Sequence, residues 1–248
     1  MDRWVGKIAV VTGSSSGIGL AISIALVRKG MVVVGLARRK TVMEEAVHAA
    51  TSGSTGKFFG YECDVTTEES VIGVFKKIKE NFGTVHVLVN NAGTMEAGTI
   101  LDTTSEVWQK TFNVNVMGAL YCTQQAMQLM KESEEEGHVV MINSIQGHRV
   151  HIFREIPMNV YPASKHAITG LTESLQRENL GGRIRFTSIS PGVVKTPIVE
   201  PYMTLPGTAN MPLLEPEDIA DSVVYVVGTP LRVQITELTI RPLGETNT

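Results

Sequence analysis

Two hydrophobic periods alternate along the chain. Short, β-branched apolar runs predict strands, at Ile8–Val11, Met31–Leu36, Phe58–Tyr61, Val85–Val89, His138–Ile142, Ile184–Ile189 and Gln234–Ile240. Between them, apolar residues recur three or four positions apart, which predicts helices at Gly17–Lys29, Glu68–Asn81, Thr104–Lys131, Pro162–Glu178 and Pro216–Val227. Strands that alternate with helices indicate βαβ units, and hence an α/β fold with a doubly wound parallel sheet flanked by helices.

The length of 248 residues leaves one large domain or two small ones open. A boundary between two domains needs a linker, and the polar segments Thr51–Gly56 and Glu132–Glu136 are too short to be one. We therefore predict a single domain over residues 1–248.

Composition excludes several functional classes. The formal net charge of −3 gives no electrostatic basis for binding nucleic acid. Two cysteines, Cys63 and Cys122, exclude a disulfide scaffold, and His148 and His151 lack the partners of a metal site, so we expect no metal. We also expect no membrane span and no secretory leader, and therefore a cytoplasmic protein.

A glycine-rich turn, Thr12–Gly19, follows the first predicted strand and opens the first predicted helix. Its glycines, at positions 13, 17 and 19, permit a tight turn and let a pyrophosphate approach the backbone at the N-terminus of the helix. An ordinary tight turn between a strand and a helix is the alternative interpretation.

The end of the second predicted strand indicates which dinucleotide would bind. An acidic residue at this place suits the ribose hydroxyls of NAD, whereas arginine suits the 2′-phosphate of NADP. Here no acid is present, and Arg38 and Arg39 follow Ala37. We predict NADP(H), with two merely solvated arginines as the alternative.

Four residues suggest acid–base chemistry. Tyr161 and Lys165 are four apart and share one helix face, so the ammonium is expected to lower the pKa of the phenol. Ser144 follows a central strand, at the end where ligands bind in such sheets. Asn115 lies inside a predicted helix that favours other residue types. An exposed Tyr–Lys surface pair is the alternative.

Taken together, these segments resemble the short-chain dehydrogenase/reductase family. The matching motifs are Thr12–Gly19, Asn90–Gly93, Tyr161–Lys165 and Pro191–Thr196, and the resemblance runs from Lys7 to about Leu238. It implies a Rossmann-like fold, and a homodimer or homotetramer in which helices 104–131 and 162–178 pair with those of a second copy. The tail Arg241–Thr248 departs from the family by lacking its usual glycine pair.

The resemblance assigns roles to the four residues. Tyr161 would give or take a proton, and Ser144 would stabilise charge on the same substrate oxygen. Lys165 would tune Tyr161 and hold the nicotinamide ribose, while Asn115 would hold a relay water. The residues implied in cofactor binding are Gly13, Ser15, Ser16, Gly17, Ile18, Gly19, Arg38, Arg39, Asp64, Val65, Asn91, Ala92, Gly93, Tyr161, Lys165, Val194 and Thr196.

Two loops are expected to contact the substrate, at about 145–159 and 196–214. The spacing of Ser144 and Tyr161 is wider than in typical family members, and both loops are rich in apolar residues, which suits a lipophilic ligand. Ser144, Gln146 and Tyr161 are the predicted substrate contacts. The segment around Tyr161 also resembles insect farnesol dehydrogenases and vertebrate members that reduce ketosteroids, which implies a prenyl alcohol or a steroid ketone.

We therefore expect an NADP(H)-dependent oxidoreductase that interconverts a lipophilic alcohol and its aldehyde or ketone. The alternative is a catalytically silent dinucleotide-binding sensor or scaffold with the same fold.

Overall fold

The computed structural model describes residues 1–151, 156–205, 208 and 211–245. Within these residues, seven parallel strands form one sheet in the order β3-β2-β1-β4-β5-β6-β7. The strands, from β1 to β7, are Ile8–Thr12, Val32–Ala37, Lys57–Glu62, Val87–Asn90, Gly137–Ile142, Ile184–Pro191 and Glu237–Ile240. The α-helices, from α1 to α7, are Gly17–Arg28, Lys40–Ala50, Glu68–Phe82, Ser105–Phe112, Gly118–Ser133, Tyr161–Glu178 and Pro216–Gly228.

Successive side chains of each strand point to opposite faces of the sheet, so the hydrophobic core forms two layers, one on each face. In β1, Ala9 and Val11 pack into the layer beneath α1, α2 and α7, whereas Ile8 and Val10 pack into the opposite layer, against α3, α5 and α6. Because both faces of the sheet are covered, every residue of β1 is buried. The predicted single sheet with helices on both faces is confirmed.

The first six strands agree with the sequence prediction to within two residues at either end. The last strand is shorter than expected, beginning at Glu237 instead of Gln234. Helix α2 was not predicted, since only Met43 and Val47 among its residues are buried, and this apolar stripe is too narrow to stand out. The expected helix 104–131 is interrupted by one π-helical turn, Asn113–Met117.

The order of the strands reverses between β1 and β4. Chain connections leave the carboxyl ends of these two strands in opposite directions, which opens a crevice at that edge of the sheet. The turn after β1 and the segment Asn91–Gly93 after β4 meet there. In the described residues, no helix is both long enough and apolar enough to cross a membrane.

Gly19 sets how closely α1 approaches this crevice. A Cβ atom at Gly19 would lie 2.4 Å from Asn91 Nδ2 and 2.4 Å from the Gly13 carbonyl oxygen. Neither neighbour can withdraw easily, since one is backbone and the other is hydrogen-bonded. In contrast, a Cβ at Gly73, within α3, would meet no atom within 4 Å.

We expect Gly19→Ala to lower the free energy of unfolding by about 2 kcal/mol or more, because the added methyl group forces the turn and α1 apart. Gly73→Ala is the matched control, and it should raise that free energy by about 1 kcal/mol, as alanine is the better helix former. Urea denaturation of both variants measures the difference. Equal effects of the two substitutions would show that the helix does not approach the turn this closely.

Candidate active site

The turn after β1 is an anion cradle made of backbone. Gly13 and Gly17 have φ of +69° and +53°, which other residues adopt only with strain. Helix α1 begins at Gly17 and has no acidic residue in its first turn, so its positive end faces the cradle unopposed. A Cβ at Gly13 would lie 2.9 Å from Asn91 Nδ2. The cradle thus has the shape and polarity that a dinucleotide pyrophosphate requires.

Hydrogen bonds fix the segment after β4 against this cradle. The Thr12 hydroxyl oxygen accepts from the backbone N–H groups of Asn91 at 3.0 Å and Ala92 at 2.9 Å. The Asn91 side chain in turn donates to the Thr12 carbonyl oxygen at 2.8 Å. The predicted residues Asn91, Ala92 and Gly93 therefore lie beside Gly13, as the sequence motifs imply.

The two arginines after β2 are both exposed. Arg39 Nη2 donates to the Ser15 hydroxyl at 3.2 Å, which places its guanidinium at the rim of the cradle. Arg38 lies near Asp64, where its charge helps to lower the carboxyl pKa. The end of β2 thus presents positive charge next to the cradle.

Asp64 has a local role in the structure. Its Oδ1 accepts from the Thr66 backbone N–H at 3.0 Å and from the Thr66 hydroxyl at 2.7 Å, and these bonds are the main cause of its lowered pKa. Val65 is buried against Gly118 of α5. Asp64 thus caps the turn that precedes α3, and its role in cofactor binding stays a prediction.

Asn115 lies in the π-helical turn and points inward. Its amide donates to the Thr94 carbonyl oxygen at 3.0 Å and accepts from the Thr94 N–H at 2.8 Å. It also donates to the Ser164 hydroxyl at 3.0 Å, and Ser164 donates to the Tyr161 carbonyl oxygen at 2.7 Å. Asn115 therefore joins the segment after β4 to the first turn of α6. Ser164, the middle link, was not singled out from the sequence.

Ser144, Tyr161 and Lys165 meet where β5 ends and α6 begins. Tyr161 and Ser144 share a side-chain hydrogen bond, and the Ser144 hydroxyl also accepts from the Gln146 N–H at 3.1 Å. Lys165 is buried, and its Nζ donates to the Ile142 carbonyl oxygen at 2.9 Å. The same Nζ lies 5.8 Å from the centre of the Tyr161 ring. The structure thus brings these three predicted residues together.

The protonation states differ from the sequence prediction. Loss of hydration raises the pKa of Tyr161 to about 12, although the hydrogen bond with Ser144 opposes this shift. Burial lowers the pKa of Lys165 to about 8. The expectation of a lowered tyrosine pKa is therefore wrong for the protein alone, because the loss of hydration outweighs the groups that favour the tyrosinate. At neutral pH Tyr161 is a neutral phenol, able to donate a proton.

A pocket opens over these hydroxyls. Its polar lining includes Ser144, Tyr161 and Gln146, and its other walls are mainly apolar, with the residues Ile18, Met95, Ile145, Met158, Val193, Val194, Ile198, Val199 and Tyr202. Thr196 also lines it and lies against Gly17, where a Cβ would be 3.2 Å from Thr196 Cγ2. The pocket and the cradle are therefore neighbours, as a substrate and a cofactor that react with each other require.

The expected substrate loops both contribute to this pocket. The second loop is closed at its base by the Val194–Leu214 bridge, and the Tyr202 hydroxyl accepts from the Ala97 N–H at 3.1 Å. Met211 and Ile156 are buried in a small apolar cluster of their own, whereas Ile198 is exposed. Residues 152–155, 206–207 and 209–210 of these loops lie outside the described residues.

The pocket lining includes a side chain that is bonded to the protein's own backbone, and side chains that the sequence analysis did not identify as substrate contacts. Gln146 lines the pocket, but its amide is bonded to the His151 backbone at both ends. His151 also lines the pocket; it belongs to the first predicted substrate loop but was not among the predicted contacts. Glu245 lines the pocket too and was not predicted, because it lies far along the chain from the recognised motifs. The described residues contain no group of three or more metal-ligating side chains, and both cysteines are buried.

Comparison with known proteins gives a consistent result. The sequence profile of the family described as short chain dehydrogenase matches residues 7–204. The farnesol dehydrogenase of Aedes aegypti is 48% identical, and the alignment covers 99% of each chain. The human dehydrogenase/reductase SDR family member 11 is 39% identical, over 98% of this chain and 96% of the relative.

Solved structures share the fold and differ in the cofactor they hold. An alcohol dehydrogenase from Thermococcus sibiricus, complexed with 5-hydroxy-NADP, has a TM-score of 0.86 at 29% identity, covering 98% of this chain and 99% of the other. A short chain dehydrogenase/reductase from Burkholderia phymatum, in complex with NAD, has a TM-score of 0.81 at 25% identity, covering 96% and 90%. Relatives of this fold therefore include complexes with either dinucleotide.

We expect Asn115→Ala to lower the free energy of unfolding by about 2 kcal/mol, because it leaves the Thr94 N–H and carbonyl groups without their partner. Asn113→Ala is the matched control. Asn113 belongs to the same π-helical turn but is exposed, so its loss should change stability by no more than about 0.5 kcal/mol. Thermal and urea unfolding measure the stability of both variants. An equal loss of stability would contradict the inference that the Asn115 side chain is bonded inside the protein.

Proposed function

Since the chain belongs to the short-chain dehydrogenase/reductase family, and is therefore an oxidoreductase acting on alcohols, we propose that it interconverts a lipophilic alcohol and its aldehyde or ketone with NADP(H). One observation carries the proposal. The hydrogen-bonded hydroxyls of Tyr161 and Ser144 lie together in a mainly apolar pocket, directly beside the glycine cradle.

The residues that would hold the dinucleotide are those of the cradle and its surroundings. Gly13, Gly17 and Gly19 leave room for the pyrophosphate, and Thr196 lines the pocket where it adjoins Gly17. Lys165 lies buried beneath the Tyr161 ring. When bound, a nicotinamide dinucleotide supplies or accepts the hydride. The remaining steps belong to the side chains of this chain.

Tyr161 is the proton donor in the direction of reduction. With a pKa raised to about 12, its phenol is protonated at neutral pH and can donate to a carbonyl oxygen in the pocket. The Ser144 hydroxyl exchanges its hydrogen bond with Tyr161 for one to the substrate, and donates to the same oxygen as negative charge develops on it. In the direction of oxidation, Tyr161 takes the proton of the alcohol instead.

Lys165 and Asn115 support this proton transfer. The pKa of Lys165, lowered to about 8, still leaves its ammonium mostly protonated at neutral pH. That positive charge, near the Tyr161 ring, stabilises the tyrosinate formed when the proton leaves. Asn115, through Ser164, holds the first turn of α6 and so fixes the position of Tyr161.

We expect Tyr161→Phe to reduce kcat/KM by about 100-fold or more, since the pocket then has no phenolic proton to transfer. Farnesol with NADP⁺ and a ketosteroid with NADPH are the assays, because they test the prenyl and the steroid class separately. Tyr225→Phe, which removes a hydroxyl from an exposed tyrosine of α7, is the matched control and should leave both rates unchanged.

Full activity of Tyr161→Phe would contradict the assignment of the proton donor. If the unmodified protein bound the dinucleotide but turned over no alcohol or carbonyl compound, the alternative of a silent sensor or scaffold would replace the enzymatic proposal. The intact set of Asn115, Ser144, Tyr161 and Lys165 supports an enzyme, since a protein that only binds has no need of a proton donor in its pocket.

The choice of NADP rests on Arg38 and Arg39. Both guanidinium groups are exposed beside the cradle, one bonded to Ser15, and no carboxylate stands at the end of β2 to bind ribose hydroxyls. Against this, Ser16 occupies the place where many NADP-preferring relatives carry a basic residue. The structural relatives include an NADP-type and an NAD complex, so affinity must be measured directly.

We expect Arg38→Ala and Arg39→Ala to weaken NADPH binding by about tenfold to 100-fold, because a charge-assisted hydrogen bond to the 2′-phosphate is lost. NADH binding should change little. Lys40→Ala removes the same charge from the first residue of α2 and is the matched control. Dissociation constants for NADPH and NADH are measured by fluorescence titration. An equal loss of affinity for the two dinucleotides would contradict the assignment of Arg38 and Arg39 to the 2′-phosphate.

The assembly and location remain proposals. We propose a homodimer or homotetramer in which α4–α5 and α6 pair with a second copy, supported by the family resemblance of these helices. We also propose a cytoplasmic location, which the two free cysteines support, since thiols stay reduced in that compartment.

A further inference from the structure

Two polar side chains of the pocket have no part in the chemistry described above. Ser144 and Tyr161 serve the reacting oxygen, and the Asn143 amide donates to Thr169 at 2.9 Å. His151 and Glu245 remain, and both line the same pocket. Polar groups placed in an otherwise apolar pocket select among ligands, because an unpaired polar group there is costly.

His151 is held in place by its backbone. The Gln146 side chain donates to the His151 carbonyl oxygen at 2.9 Å and accepts from the His151 N–H at 3.0 Å. Gln146 itself is buried and follows Ser144 closely in the chain. The backbone of His151 is therefore fixed beside Gln146, two residues after Ser144, while its ring nitrogens take no part in these two bonds.

Glu245 reaches the pocket from the segment after β7. Its side chain is only 5% exposed, and Oε2 accepts from Arg241 Nε at 2.6 Å. The carboxylate lies against Gly192, where a Cβ would come within 3.0 Å of Oε2. Glu245 is thus packed against the segment after β6 that forms the floor of the pocket.

The two groups carry complementary hydrogen-bonding capacity. Burial first, and then the charges of Arg241 and Arg149, lower the pKa of His151, while Glu245 opposes the shift. A neutral imidazole offers one donor and one acceptor, and a carboxylate offers only acceptors. Together they match a hydroxyl group, which both donates and accepts.

We propose that His151 and Glu245 form a second polar contact in the pocket, and that it binds a second hydroxyl group of the substrate, separate from the one at the reacting carbon. The inference rests on the proposed function for its reaction, since it concerns which alcohols the same pocket prefers. It assigns the chain to substrates that carry two oxygen functions on an apolar skeleton.

The test uses two matched series of compounds. Primary 1-alkanols and α,ω-diols of four to twelve carbons are oxidised with NADP⁺, and kcat/KM is compared at each length. Two equivalent ends give the diol a statistical advantage of about twofold in this comparison. In the unmodified protein, the ratio of diol to alkanol should reach about tenfold at the length that spans both contacts, and be lower at shorter and longer lengths.

The variants are chosen to keep the fold. Glu245→Gln keeps the shape and an acceptor for Arg241, and His151→Leu leaves the backbone bonds to Gln146 in place. Both should remove the maximum in the ratio of diol to 1-alkanol, because kcat/KM for the diols falls more than kcat/KM for the 1-alkanols. Glu200→Gln removes the same charge from an exposed residue of the second substrate loop, and it should leave the ratio as it was.

Calorimetry separates this inference from the proposed function. The dissociation constants of the diols and the 1-alkanols are measured on the NADP⁺-loaded protein, without turnover. If no alcohol is oxidised, the proposed function fails, but a diol preference that Glu245→Gln abolishes still supports the contact. The proposed contact is overturned if the ratio of kcat/KM for diol to 1-alkanol stays near twofold at every length. It is also overturned if the variants lose the same share of kcat/KM for diols and for 1-alkanols.

Discussion

The contact between the ends of β1 and β4 is the constraint on which the site depends. Thr12 receives two backbone N–H groups from the segment after β4, and Asn91 returns a bond to the Thr12 carbonyl oxygen. Gly19 lets α1 begin directly against this pair. Because the strand order reverses here, the same few bonds hold open the crevice and set its width. The cradle, the substrate pocket and the start of α6 are all positioned relative to this contact.

Most of the fold could be predicted from periodicity, because the buried strands are continuous apolar runs and most helices bury a broad stripe. Helix α2 escaped prediction because it buries only Met43 and Val47. The π-helical turn at Asn113–Met117 was also missed as such, since residue types there do not differ enough from those of an α-helix. Asn115 was still identified, because asparagine is an unfavourable residue inside a helix and because its position matches an asparagine of the family.

The site was predictable where spacing along one element decides proximity, as for Tyr161 and Lys165. It was not predictable where distant segments meet, as for Ser164, which bonds to Asn115, and for Glu245, which lines a pocket formed by residues far away in the sequence. The direction of the Tyr161 pKa shift was also beyond the sequence. The motif shows that an ammonium group lies near Tyr161, but only the structure shows how much hydration the phenol loses. Here that loss of hydration is the largest effect, and it raises the pKa.

Glu245 lies near the end of the chain, so its part of the pocket wall is synthesised after the rest of the pocket. The cradle, the proton donor and the floor of the pocket come from residues 12–196, whereas the wall at Glu245 follows β7, after all the other strands of the sheet. A chain that folds as it is synthesised can therefore form its dinucleotide crevice before the pocket wall exists. Glu245 thus lies in a different stretch of the chain from Ser144, Tyr161 and Lys165, and this part of the pocket wall can vary in sequence while those three residues stay unchanged.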